Sequence, residues 1–195
     1  MYQTYIKRIL DILISFIGIG ILFLVMIPVS IVIKKEDQGP IFFNGKRLGK
    51  NMKEFKMYKF RTMKTGAPDL RNSDGTTYNS ASDQRVTNVG HTLRKLSVDE
   101  LPQFINVLKG DMSIIGPRPS PLGNKDMYPK KFFKKYEVKP GITGYNQALL
   151  RNSATMDERI ENDAYYTDNI SFFLDVKIFY WTLKSVIRRK NINNH

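Results

Sequence analysis

Between positions 12 and 33 the chain carries no charged side chain, a run long enough for a helix to cross a hydrocarbon core. Pro28 interrupts the run and Asp11 stands at its edge, while Lys7 and Arg8 precede it and Lys34 and Lys35 follow it. Symmetrical positive flanks give no direction of crossing, so a hairpin with both ends on one side satisfies them. Pro28 is the candidate hinge, because proline lacks an amide donor and clashes with the carbonyl four residues earlier. Taken by itself the segment reads first as a proline-kinked spanning helix. No small-x-small site precedes Lys34, which argues against a cleaved signal peptide. Arg8 and Asp11 stand at i, i+3 and are expected to pair at headgroup depth.

After Gly39-Pro40 the pattern turns mixed, marking the start of a water-facing domain at 39–195 behind a membrane anchor at 1–38. Positions 41–43 and 55–63 read as short strands joined by a Gly- and Lys-rich turn. On the second, alternation puts Met57, Lys59 and Arg61 on one face and Tyr58, Phe60 and Thr62 on the other. The stretch 65–84, rich in Ser, Thr, Asn, Asp and Gly, predicts a loop. Apolar spacing predicts amphipathic helices over 86–96 and 98–108, the second ended by Gly110. Positions 112–115 form a strand candidate leading into Gly116-Pro117-Arg118-Pro119, a rigid turn that presents one cation. Aromatic residues interleave with lysines over 125–136, and a last amphipathic helix covers about 172–189; both have the chemistry of membrane-interfacial segments. The fold class expected is α+β, mainly helical, with one small sheet.

Composition narrows the partners. The 195 residues carry 31 Lys and Arg against 18 Asp and Glu, a formal +13, which favours anionic lipid, phosphorylated substrates or nucleic acid. There is no cysteine and only His91 and His195 offer imidazole, so a metal site must be built on oxygen ligands, pointing to magnesium, manganese or calcium.

The candidate chemistry centres on Asp99-Glu100. From spacing alone, Ser97-x-x-Glu100 is a capping box at a helix start, with acidic residues favoured by the helix dipole. Pro102 sits awkwardly in that frame, where the first regular intrahelical bond should form, so the helix start must be distorted or shifted. The same placement suits a carboxylate that holds a divalent cation and attacks phosphorus. Lys59, Arg61, Arg94, Lys95 and Arg118 are the cations available to a diphosphate. Taken singly, each reads equally as a solvated surface charge.

In order along the chain, several segments form a set: Lys7-Arg8-x-x-Asp11 before the apolar run, Tyr58-Lys59-Phe60-Arg61-Thr62-Met63, Arg94-x-x-Ser97-x-Asp99-Glu100-Leu101-Pro102-Gln103, and Asn106-Val107-Leu108-Lys109-Gly110-Asp111-Met112-Ser113. Gly116-Pro117-Arg118-Pro119, Pro140-Gly141-Ile142-Thr143-Gly144 and Asp163-x-Tyr165-Tyr166 complete it. Together they resemble the bacterial sugar transferase family, the small monotopic phosphoglycosyl transferases. The resemblance implies a re-entrant helix-break-helix hinged at Pro28, entering one leaflet of the bacterial inner membrane with the catalytic domain on the cytoplasmic face. It implies transfer of a phosphosugar from a UDP-sugar, with a lean towards an N-acetylated one, to polyprenyl (undecaprenyl) phosphate. UMP is released, and the product begins a glycan or polysaccharide on its lipid carrier. Asp99 is then the nucleophile of a covalent aspartyl-phosphosugar intermediate, with Glu100 as base or metal support and Mg2+ held by both. Lys59, Arg61, Arg94, Arg118, Asp163 and Tyr166 are the expected substrate-binding residues. Anionic lipid is an expected partner, nucleic acid is not, and exposed apolar faces would permit a homodimer. A membrane-tethered basic binding protein, and an enzyme that transfers the whole sugar with release of UDP, are the competing readings.

Overall fold

The charge-free run folds within one helix, α1 (Lys7–Asp37), preceded by a π-helical turn at Tyr2–Ile6. In the computed structural model, which describes residues 1–72, 78, 80, 82–123, 128–150 and 153–187, the helix continues through Pro28. By length and composition it is apolar enough to cross a membrane. Only one stripe is covered: Asp11, Ser15, Gly18, Leu22, Val29 and Ile33 are buried, at spacings that keep to one side of a helix. Phe16, Ile17, Phe23, Leu24 and Ile27, by contrast, are each more than 60% exposed.

Both ends of α1 are tied to the rest of the chain by charged groups. Near its start Arg8 donates to the carbonyls of Val107 (2.6 Å) and Leu108 (2.8 Å), capping the last turn of α3 (Gln103–Lys109). Asp11 Oδ1 accepts from Ser113 Oγ (2.9 Å) and Ile114 N (2.8 Å) on β3 (Ser113–Ile115). The expected Arg8–Asp11 pair therefore does not form, because each side chain meets orphaned groups about a hundred residues away. At the far end Glu36 accepts from the amides of Asn88 (2.7 Å) and Val89 (3.0 Å), which open α2 (Asn88–Lys95), and Asp37 is ion-paired with Arg61. Gly18 marks the closest crossing, since a Cβ there would lie 2.5 Å from the Phe104 ring of α3.

The sheet is small. β1 (Phe42–Leu48) and β2 (Glu54–Phe60) pair antiparallel, and β4 (Ser120–Pro121) adds to the other edge of β1. The outer edge of β2 is closed by a side chain: the fully buried Asn106 accepts from Tyr58 N (2.9 Å) and donates to Lys56 O (2.7 Å). β3 pairs in parallel with β5 (Gly141–Thr143). A Cβ at Gly116, Gly141 or Gly144 would come within 2.1–2.4 Å of backbone atoms there, so the Pro140–Gly144 motif serves backbone-to-backbone packing. Helices α4 (Tyr145–Leu149), α5 (Met156–Asp168) and α6 (Phe172–Ile187) follow. The expected class holds, mainly helical with small sheets, although the strands divide into two sheets.

Three elements differ from expectation. The second predicted strand stops at Phe60, and Met63 makes only an isolated bridge to Val86. The helix expected over 98–108 is a 3-10 turn at Val98–Glu100 followed by α3, with Pro102 at the N-cap, so the displacement demanded by Pro102 is what occurs. In the aromatic and lysine-rich segment, a 3-10 helix at Lys130–Glu137 buries Phe132 and Tyr136 against Leu48 and Ile160. Its Lys131, Lys134 and Lys135 pair with Glu161, Asp168 and Asp163 of α5. The amphipathic pattern there is spent on α5, not displayed as an interfacial face. Positions 124–127, most of the 73–81 loop and the last predicted turn of α6 lie outside the described residues.

Candidate active site

Asp99 and Glu100 occupy the 3-10 turn between α2 and α3. The capping box is absent: Ser97 adopts a left-handed conformation (φ 56°, ψ 20°) and its side chain caps nothing. A left-handed serine costs on the order of 1 kcal/mol, and here it swings the next three residues back over the end of β2. Glu100 consequently reaches Lys59, whose Nζ donates to its Oε1 at 2.6 Å. Arg118, from the Pro-Arg-Pro turn after β3, lies 3.7 Å from the same oxygen with most of its side chain exposed. Arg94 of α2 donates through Nε to Thr62 Oγ1 at 2.9 Å and adds its charge to the field at Asp99.

The pKa values of the two carboxyls are shifted in opposite directions. Asp99 is 7% exposed and, among the described residues, its carboxylate receives no hydrogen bond. Burial pushes its pKa up and the neighbouring Glu100 adds to this, against the pull of Lys59, Arg94 and Arg118. For Glu100 burial works in the same direction, but Lys59 and Arg118 outweigh it and hold the carboxyl below the usual glutamate range. Arg94 is pushed below an ordinary arginine by burial, with Asp99 opposing.

Of the residues expected to bind substrate, Lys59, Arg94 and Arg118 thus gather about Asp99-Glu100. Arg61 does not. Because β2 ends one residue earlier, alternation no longer applies at Arg61; its guanidinium is 6% exposed and turns to Asp37 and the Pro40 carbonyl. Asp163 makes its ion pair with Lys135 at 3.0 Å. Tyr166 is 1% exposed, its hydroxyl 2.8 Å from Asp175 Oδ1 and 3.1 Å from the Ile115 carbonyl. Asp175 also accepts from Tyr2 and Lys7, both at 2.6 Å, so Tyr166 belongs to a buried brace between α6, α1 and the strand that carries the Arg118 turn.

Comparison with known proteins matches residues 2–189 to the bacterial sugar transferase family. The chain belongs to that family. Among relatives of this chain, one from Aeromonas hydrophila named as a UDP-N-acetylgalactosamine-undecaprenyl-phosphate N-acetylgalactosaminephosphotransferase is 40% identical, over 94% of this chain and 44% of its own. An uncharacterized sugar transferase, EpsL, of Bacillus subtilis (strain 168) is 44% identical over 84% of this chain and 79% of its own. A UDP-glucose:undecaprenyl-phosphate glucose-1-phosphate transferase of Escherichia coli (strain K12) is 36% identical over 91% of this chain and 39% of its own. The chain therefore spans less than half of the Aeromonas and Escherichia relatives, and most of the Bacillus one.

Proposed function

We propose that this sugar transferase moves a phosphosugar from a UDP-sugar to polyprenyl (undecaprenyl) phosphate, releases UMP, and passes through a covalent intermediate on Asp99. The observation that carries the reading is the Asp99 carboxylate itself: mostly buried, without a hydrogen-bond donor among the described residues, and acted on by the charges of Lys59, Arg94 and Arg118. A mostly buried carboxylate that no protein donor engages, set among three cations, is well suited to a nucleophile whose partner arrives with the substrate.

In the first step an Asp99 oxygen attacks the sugar-bearing phosphorus, the bond to the bridging oxygen breaks, and its electron pair leaves with UMP. In the second, an oxygen of polyprenyl phosphate attacks the same phosphorus and Asp99 departs as carboxylate. Lys59, Arg94 and Arg118 offset charge on the diphosphate and on the leaving phosphate. Among the described residues no three acidic or histidine side chains converge. Two adjacent carboxylates, one of them without a protein partner, nevertheless fit Mg2+, which takes one or two carboxylates and fills its other positions with water and phosphate oxygens. Asp99 and Glu100 would hold the ion, which when bound supplies further neutralisation of the diphosphate. Glu100 is a metal support in this scheme, because a carboxyl held below the usual range is a weak base at neutral pH.

The exposed apolar sides of α1 and α6 are assigned to the membrane, with the domain on the cytoplasmic face of the inner membrane and its basic surface against anionic lipid. Although the helix runs on through Pro28, both of its ends bind the same domain, which supports insertion from one side in preference to a crossing. The chain lacks cysteine, so Gln3→Cys and Lys35→Cys are clean reporters, and both are expected to label from the same side of sealed vesicles. Labelling from opposite sides would restore the spanning helix. An N-acetylated sugar is favoured by the Aeromonas relative, against the glucose named for the Escherichia one. A panel of UDP-sugars with Mg2+ and lipid acceptor tests the function: UMP release supports it, UDP release indicates transfer of the sugar alone, and no release indicates a binding module.

A further inference from the structure

Arg47 lies near the end of β1 (Phe42–Leu48). The ladder gives it a place. Arg47 stands opposite Phe55 and Phe43 opposite Lys59, so Arg47, Met57 and Lys59 share one face of the β1–β2 pair, with Arg47 about 13 Å along it from Lys59. On its other edge Arg47 is the partner of Pro121, three residues after Arg118. The Pro-Arg-Pro turn is thus tied by its trailing strand to the residue that carries this guanidinium.

Among the described residues Arg47 has more cations than acids around it. Among the described residues no carboxylate lies within ion-pair distance of Arg47, which donates one hydrogen bond, to the carbonyl of its neighbour Lys46, at 3.2 Å. Asp69, whose charge reaches Arg47, is itself held at 2.5 Å by Arg71. The strongest charges acting on Arg47 are other cations, Arg118 and Arg71, and together with burial they bring its pKa down to about 10. A half-buried guanidinium set beside like charges is unfavourable until an anion joins it.

Resting on the reading of the site as a phosphosugar transferase, we propose that Arg47 binds the phosphate of the leaving UMP, on the side of Arg118 away from Asp99. Phosphoryl transfer needs the attacking and leaving oxygens roughly in line, so the uridine-side phosphate lies across the reacting phosphorus from Asp99. Arg118 stands beside Glu100, and Arg47, whose strand pairs with the one that trails Arg118, lies within reach of its charge. A guanidinium suits this position, because its fork matches two phosphate oxygens at once.

UMP binding, measured by calorimetry on the full chain with Mg2+, tests the assignment. Arg47→Gln is expected to weaken UMP about tenfold or more and Arg47→Lys severalfold, while uridine, which lacks the phosphate, binds both variants as it binds the parent. Unchanged UMP affinity in a folded Arg47→Gln or Arg47→Lys would overturn the proposal. That includes the case where only KM for polyprenyl phosphate rises, which would hand Arg47 to the lipid phosphate. A parent chain that neither binds UMP nor releases it from any UDP-sugar would instead overturn the function on which the proposal rests.

Discussion

Asp99→Asn is expected to lower UMP release by about a thousandfold or more, equivalent to about 4 kcal/mol of barrier, with little change in thermal stability. The amide keeps the shape of the carboxylate and removes its charge and nucleophilicity. No α3 cap is lost, since neither Asp99 nor Ser97 caps that helix. Among the described residues the carboxylate also receives no hydrogen bond whose loss would unsettle the turn. Stability and activity therefore separate at this position. A folded Asp99→Asn protein with normal turnover would remove Asp99 from the nucleophile's role.

The second large effect concerns stability and comes from Asn106. Asn106→Leu preserves approximate volume but leaves Tyr58 N and Lys56 O without partners on the closed edge of β2. At about 1–3 kcal/mol for each orphaned buried group, the expected loss is about 3 kcal/mol. For a chain of this size that lowers the thermal midpoint by about 6–12 °C. Lys59 lies on the same strand, so residual activity should fall along with stability. A midpoint within 2 °C of the parent, measured in the same detergent, would show that water closes the edge as well as Asn106 does.

What the sequence revealed and what it hid follow one physical division. The apolar run of α1, the existence of the strand pair and the displaced helix start ahead of Pro102 are legible because local spacing and composition determine them. Partners are not. Arg8 and Asp11 stand at a helical pairing interval, yet their hydrogen bonds go to α3 and β3. Ser97-x-x-Glu100 has the spacing of a cap, and only the left-handed backbone at Ser97 shows that Glu100 belongs to Lys59. Arg61 was placed with Lys59 by an alternation that ends with the strand at Phe60. The lysine and aromatic pattern around Phe132 is the same whether its partner is lipid or the acidic side of α5. Arg47 gave no local signal, because its significance depends on pairing with β4 more than seventy residues later. Tyr166 stood in a motif suggestive of substrate binding and is a buried brace for Asp175.

The most direct test of the central claim is the intact mass of the protein after incubation with UDP-sugar and Mg2+ in the absence of lipid acceptor. The account requires a mass gain of one phosphosugar, mapped to Asp99, missing in Asp99→Asn and discharged by polyprenyl phosphate. Release of UMP only when the acceptor is present, with no adduct at any time, would contradict it and indicate direct transfer between the two substrates.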